Sequence, residues 1–326
     1  MKSRDNTLDS VRYLDPVKMM RNNINLMVLI MLFFIGIIAS DRFLTTGNMI
    51  NVFTQISING VLAAGFTIVC LSGGFDLSLG STVSVAAVLF MGIQRTNDIW
   101  LAIAISLIAG ACFGLLNGVL LKVVRGDLGD TFLITLGTAL LGRSIAHTYA
   151  GGFNIFADNF GPVFRFIGSG RVLGIPIQII IMLSVMAILQ FMLKKTEFGR
   201  NIYLIGGNKT ASYMSGINVH KVKTIAFIIA GICAVIAAII LTSRTTAASP
   251  RSGFGYEFNA AIAAVIGGNR VGGGRGGIVH TLIGVIILGF LTNIMNLMNI
   301  ATILQMIIKG IMLVLALMAD NLRTQS

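Results

Sequence analysis

The sequence predicts an all-α, polytopic membrane protein of about ten transmembrane helices, some short or broken, with the N- and C-termini cytoplasmic. Three observations lead there. Hydrophobic residues make up 55% of the 326 residues and charged residues only 11%, against roughly a quarter charged in soluble domains. The apolar residues come in long runs separated by polar breaks, and the mean hydropathy is +0.88. The net charge of +12 falls mostly between those runs, which is the pattern that sets membrane topology. A nucleic-acid partner is therefore not expected; the lipid bilayer is.

The tail, residues 1–23, carries Lys2, Arg4, Arg12, Lys18 and Arg21 and is expected to stay in the cytoplasm. Within it, residues 11–20 mix apolar and basic side chains and could lie along the interface as a short helix. Apolar spans follow at 24–40, 49–71, 78–94, 99–121, 131–150 and 174–193, forming a first transmembrane block. A polar loop at 194–223 separates it from a second block with runs at 224–243, 258–268, 278–296 and 301–319, and a short tail closes the chain at 320–326. With this topology, lysines and arginines outside the spans divide sixteen inside to six outside, as the positive-inside rule requires. The run at 258–268 is too short to cross hydrocarbon as one straight helix. It either completes a ten-span topology or is half of a broken helix buried among others.

The polar loop, KKTEFGRNIYLIGGNKTASYMSGINVHKVK, holds Lys194, Lys195, Arg200, Lys209, Lys221 and Lys223 against the single carboxylate Glu197. Such a basic loop belongs on the cytoplasmic face. Its alternating apolar positions suit a surface on which a cytoplasmic partner acts; a solvated connector between two helical halves would have the same length. Two glycine-dense breaks interrupt the apolar pattern, GGFDLSLGS at 73–81 and GGNRVGGGRGG at 267–277. Each is either a helix interruption or a tight packing seam. Sliding one onto the other places Asp76 opposite Arg270 and Gly80 opposite Gly274, the register of a possible repeat.

Asp76 is a carboxylate set among glycines and apolar residues, and charge at membrane depth is costly. It reads either as a gate or pathway residue or as the cap of a helix starting near Ser78. Arg143 lies inside a span, where it either pairs with a carboxylate or snorkels to the nearer surface. Asn117, Thr135, Asn293 and Asn296 either line a path for a hydroxylated solute or hydrogen-bond neighbouring helices. The three cysteines lie within apolar runs without CxxC spacing and read as thiols packed as small hydrophobes.

Enzyme chemistry finds no foothold. His147, His220 and His280 have no HExxH context, and there is no GxSxG elbow. Gly206-Gly207-Asn208-Lys209-Thr210 lacks the order of a nucleotide-binding P-loop. The chain is expected to bind no cofactor, and if ATP powers it, another polypeptide supplies the ATPase with its ATP and Mg²⁺.

Four ordered blocks carry a resemblance. GGFDLSLGSTVSVAAV (73–88) resembles the GGIDLSVGS-type signature of permease subunits of bacterial ABC importers for ribose and related monosaccharides. FLITLGTALLGRSIAHTYAGG (132–152), the loop at 197–223 and the glycine-rich stretch at 267–300 are similar to later parts of the same family. The resemblance implies a bacterial inner-membrane subunit that pairs with a second permease copy, docks two ATP-binding cassettes and receives sugar from an extracytoplasmic binding protein. It also implies a coupling helix within 197–216 seated in a cleft of the ATPase, with Glu197, Gly199, Arg200, Gly206, Gly207, Asn208, Ala211 and Gly216 as coupling residues. Phe75, Asp76, Ser78, Asn117, Thr135, Asn269 and Asn293 are the candidates for the translocation path or gate. The family commonly has an acidic residue where this chain has Lys209, and often a proline where it has Thr131. An ion-gradient-driven transporter of a small polar solute is the alternative, weakened by the scarcity of intramembrane carboxylates.

Overall fold

A computed structural model describes residues 24–95, 98–157 and 161–325; the predicted interfacial helix at 11–20 lies outside them. Every apolar run is helical: α1 (Ile24–Ala39), α2 (Thr46–Leu71), α3 (Leu79–Gln94), α4 (Ile99–Val124), α5 (Leu128–Tyr149), α7 (Ile177–Lys195), α10 (Val219–Thr245), α11 (Tyr256–Gly267), α12 (Ile278–Leu297) and α13 (Thr302–Gln325). Of these, α2, α4, α7, α10 and α12 are long and apolar enough to cross a membrane. Most boundaries shift by up to about three residues from the sequence reading, and three differences are larger. Helix α10 begins five residues earlier than expected, α13 runs past 319, and the polar loop holds two short helices, α8 (Glu197–Gly207) and α9 (Lys209–Met214), rather than one.

Helix α10 is the hub, packing against α4, α2 and α3. A close seam joins α10 to α4, built on Gly110, Gly114 and Gly118 at four-residue spacing. A β-carbon at Gly114 would lie 2.6 Å from Ile228 Cα, and closer still to the Phe227 carbonyl oxygen. Lipid tails are as apolar as leucine, so helices gain by backbone approach and dispersion contact rather than by hiding apolar surface from water. Large apolar side chains point outward accordingly, among them Ile108, Leu133, Leu140, Phe191 and Ile303.

The bundle has two unlike ends. One carries the polar loop. The opposite end carries α6 (Pro162–Ser169), an antiparallel pair of β1 (Ile155–Phe156) with β4 (Ala247–Ala248), and a hairpin of β2 (Arg171–Val172) with β3 (Ile175–Pro176). Phe164 of α6 stacks on Phe90 of α3 at 6.1 Å, and Gln178 donates to the carbonyls of Ile167 and Gly168 at the end of α6.

The short run at 258–268 proves to be part of a composite segment. The chain turns inward over residues 249–255, where Gly253 donates to Ser84 Oγ at 3.0 Å and its Cα faces the Gly80 carbonyl so closely that no side chain fits. Helix α11 takes over from there toward the polar-loop end. Its 12 residues rise about 18 Å, short of the roughly 30 Å hydrocarbon core, so α11 by itself is too short for a straight crossing. Irregular backbone at such depth is tolerated because protein covers it.

Candidate functional site

The polar loop is folded by its caps. Thr196 accepts from Gly199 N at 3.3 Å and starts α8 with Glu197 in the first turn, where its charge suits the helix dipole. Asn208 is extended (φ −155°, ψ 103°); it ends α8 and caps α9 by accepting from Ala211 N at 2.9 Å. Gly216, at φ +81°, makes the left-handed turn out of α9 that a side chain would resist. Asn218 then caps α10 through Lys221 N at 3.0 Å.

Helix α8 lies against the membrane-embedded part with Ile202 and Ile205 buried. Tyr203 Oη donates to the Gly276 carbonyl at 3.0 Å, and half-burial pushes its phenol above the usual 10.0. The end of α8 is where the structure converges. A β-carbon at Gly206 would lie 2.9 Å from Gly273 C, and nearer still to the Leu71 carbonyl oxygen and Gly274 N. The two glycine breaks, far apart in sequence, meet there: Gly274 N donates to Leu71 O at 3.1 Å, Cys70 Sγ to Arg270 O at 3.2 Å. Lys223 Nζ donates to Gly73 O at 3.3 Å. Three backbone segments thus touch with no side chain between them.

Of the predicted coupling residues, Gly199 is buried against the Leu193 carbonyl and Gly206 forms the junction. Glu197, Arg200, Gly207, Asn208, Ala211 and Gly216 lie on the outer, exposed side. Two exposed residues on α9 were missed: Tyr213 (69% exposed) and Met214 (79%), an apolar pair at the tip of a basic segment. Their signal was visible as YM among Ser, Thr and Lys. Lys209 does not face outward as a free charge. It donates to Gly126 O at 3.0 Å and pairs with Asp127 at 2.5 Å, tying α9 to the α4–α5 turn and holding the Asp127 carboxyl below its ordinary 3.8.

The predicted path residues mostly become ties between elements. Asp76 Oδ1 accepts from Ser78 N at 2.8 Å and from Ser78 Oγ at 2.6 Å, a brace on Ser78, which is itself the N-cap residue of α3. Asn117 Nδ2 donates to Ser78 Oγ and its Oδ1 accepts from Thr138 Oγ1. Thr135 Oγ1 accepts from Leu77 N at 3.1 Å, and Thr131 Oγ1 accepts from Phe75 N at 3.0 Å. Asn269 spans the second break, donating to Ala264 O and Thr281 Oγ1 and accepting from Gly277 N; Thr281 Oγ1 lies 2.6 Å from Thr67 Oγ1. Asn293 and Asn48 exchange a pair of amide bonds. Asp76, Ser78, Asn117, Thr135 and Asn269 are at most 1% exposed and offer no surface to a solute in this conformation. Phe75, only partly buried, packs edge-on against Phe66 at 5.0 Å. The intramembrane Arg143 has its carboxylate partner: Nη2 meets Glu257 Oε1 at 2.6 Å.

A transport-system permease family, described as the branched-chain amino acid transport system permease component, matches residues 48–317. The chain belongs to this permease family. Its work is transport rather than catalysis. It is 39% identical over 297 residues to the ribose import permease protein of Haemophilus influenzae, covering 90% of this chain and 91% of the relative. It is 38% identical over 319 residues to the ribose import permease protein of Escherichia coli, covering 97% and 98%, and 32% identical over 302 residues to that organism's L-arabinose transport system permease protein, covering 92% and 90%. No solved structure matches the chain significantly. The chain is a multi-pass, helical membrane protein of the permease type.

Proposed function

We propose that this chain is the transmembrane subunit of a bacterial ABC importer for a monosaccharide, and that α8–α9 is its coupling element. Identity of 32–39% with ribose and arabinose permeases along nearly their full length supports the sugar class. In this reading the helices make ten crossings of the inner membrane, both termini and the polar loop face the cytoplasm, and α6 faces outward. The path forms against a second permease copy. ATP and Mg²⁺ belong to cassette subunits, and an extracytoplasmic binding protein delivers the sugar.

The observation that carries the coupling role is the seat of Gly206 against both helix breaks. A nucleotide-driven closure of cytoplasmic subunits needs a stiff lever, and α8 ends directly on the two places where the membrane helices are interrupted. Exposed Tyr213 and Met214 supply an apolar tip for a cleft on the ATPase. Replacing both by aspartate leaves the fold unburdened, because neither is buried. Co-purification from native membranes in mild detergent tests the reading: the parent retains an ATPase partner and the double variant loses it. Equal recovery from both sinks it.

A further inference from the structure

At the end opposite the polar loop, a cleft of about 900 Å³ opens between α3, α5 and the 249–255 turn, lined among others by Ser84, Arg143, His147, Thr148, Arg251 and Phe254. Its size is within the roughly 300–1,000 Å³ of small-molecule sites. Two features distinguish it from an accidental hollow. Arg143 stands on a helix whose neighbouring Leu140 and Leu141 face outward, where a charge is costly unless it has a purpose. Its partner Glu257 is 1% exposed, whereas the Arg143 side chain keeps 38% of its surface. One edge of the guanidinium is thus anchored while other N–H donors remain available. Arg143 Cζ lies over one face of the Phe254 ring, 5.4 Å from its centroid, and the ring, carried on a turn, is still 59% exposed.

The turn cannot drift, because Gly253 is locked against the Gly80 backbone and Ser84. The ring and the guanidinium fork are therefore presented in fixed relation, as a binding site requires. The face of the ring that Arg143 does not cover accepts the C–H side of a sugar ring, while the guanidinium donors at the ring's edge and neighbouring hydroxyls match vicinal hydroxyl groups at the sugar's rim. Glu257 cancels the Arg143 charge, which favours an uncharged solute over an anion.

We infer that this cleft is a solute subsite for a neutral polyhydroxylated ring, with Phe254 as the stacking face and Arg143, held by Glu257, as the hydroxyl-binding fork. The inference rests on the monosaccharide reading above. It is tested in the complete importer, reconstituted with its ATPase and binding protein, by D-ribose uptake at saturating loaded binding protein. Phe254→Ala lowers the maximal uptake rate roughly tenfold, and Phe254→Tyr, which keeps the ring, stays within about twofold of the parent. Because Phe254 is exposed, co-purification of the ATPase with Phe254→Ala checks that assembly is intact. In a Ser144→Cys importer, where the new thiol lines the same cleft and Phe254 is kept, millimolar D-ribose slows alkylation of that thiol, while leucine and D-glucuronate do not. Uptake by Phe254→Ala equal to the parent, equal loss in Phe254→Tyr, or protection by leucine or glucuronate instead of ribose overturns the subsite. A parent importer that moves none of D-ribose, L-arabinose or D-allose overturns the monosaccharide reading as well, and is recognised without any variant.

Discussion

Replacing Gly206 by alanine puts one methyl group into the three-backbone junction. Its β-carbon would meet Gly273 C at 2.9 Å and would be still nearer to Leu71 O and Gly274 N. All three are main-chain atoms and cannot rotate away, so relief requires α8 to move off its seat. Overpacking of this kind costs about 1–3 kcal/mol. The control is next in the chain: a β-carbon at Gly207 would meet nothing within 4 Å, and Gly207→Ala receives the same helix-propensity gain of up to ~1 kcal/mol. The two single-methyl variants thus differ in the clash and in little else. In the reconstituted importer, Gly206→Ala is expected to unfold at lower temperature than Gly207→Ala and to hydrolyse more ATP per sugar moved, while still binding the ATPase through the untouched α9 tip. If the two variants match in stability and in ATP-to-sugar ratio, the junction transmits nothing and the coupling argument is wrong.

Other outcomes follow from neighbouring contacts. Gly114→Leu forces α4 off α10 at Phe227 and Ile228 and should abolish accumulation of folded protein in the membrane, read by fluorescence-detected gel filtration. Asn117→Leu removes the amide that bridges Ser78 and Thr138. The two hydroxyls keep their bonds to Asp76 and to the Thr135 carbonyl, so the loss is two net hydrogen bonds at about 0.5–1.5 kcal/mol each, seen as a lower thermal midpoint. Asp127→Asn removes an exposed ion pair with Lys209 and should cost no more than about 1 kcal/mol, vanishing at high salt. Acid does the same. The native carboxyl titrates below 3.8, so the link is fully present above that value and is lost as pH falls through the lower native one, measurable as faster amide exchange in α9.

Much of this was legible in the chain. Lipid leaves hydropathy in charge of helix placement, and the runs at 99–121 and 278–296 became α4 and α12 almost end for end. Caps were less visible. The resemblance places Asn208 on a single coupling helix, and only its extended backbone shows that it divides α8 from α9. Asp76 reads as gate or cap, because sequence gives a carboxylate's neighbours along the chain but not that Ser78, which it holds, is held in turn by Asn117 of α4. Aligning the glycine breaks as a repeat put Gly80 opposite Gly274. In space Gly274 meets Leu71 and Gly206, and Gly80 meets Gly253, so the glycines mark close approaches whose partners no linear pattern encodes. Lys209 was legible as a departure from the family pattern, yet its compensation, Asp127, lies 82 residues away.

The junction has no room for side chains. A lever acting through flexible side chains would lose displacement to rotamer changes, which main chain packed on main chain avoids. Beyond the contact, the two breaks are braced differently. Asp76, Ser78, Asn117 and Thr138 bind the first break to α4 and α5, while Asn269 and Thr281 bind the second to Thr67 on α2. Helix α2 therefore takes part in both, through Leu71 at its end and Thr67 one turn earlier. A displacement of α8 reaches α2 directly at Leu71 and again through the second break, so both routes drive the same helix. That helix lies within the core of the bundle, where packing allows rigid-body shifts and resists bending. If α8 is the coupling lever, motion entering at Gly206 would be delivered as movement of α2, of α11 packed against it and of α3 next in the chain, and α11 carries Glu257, the partner of Arg143, toward the opposite end.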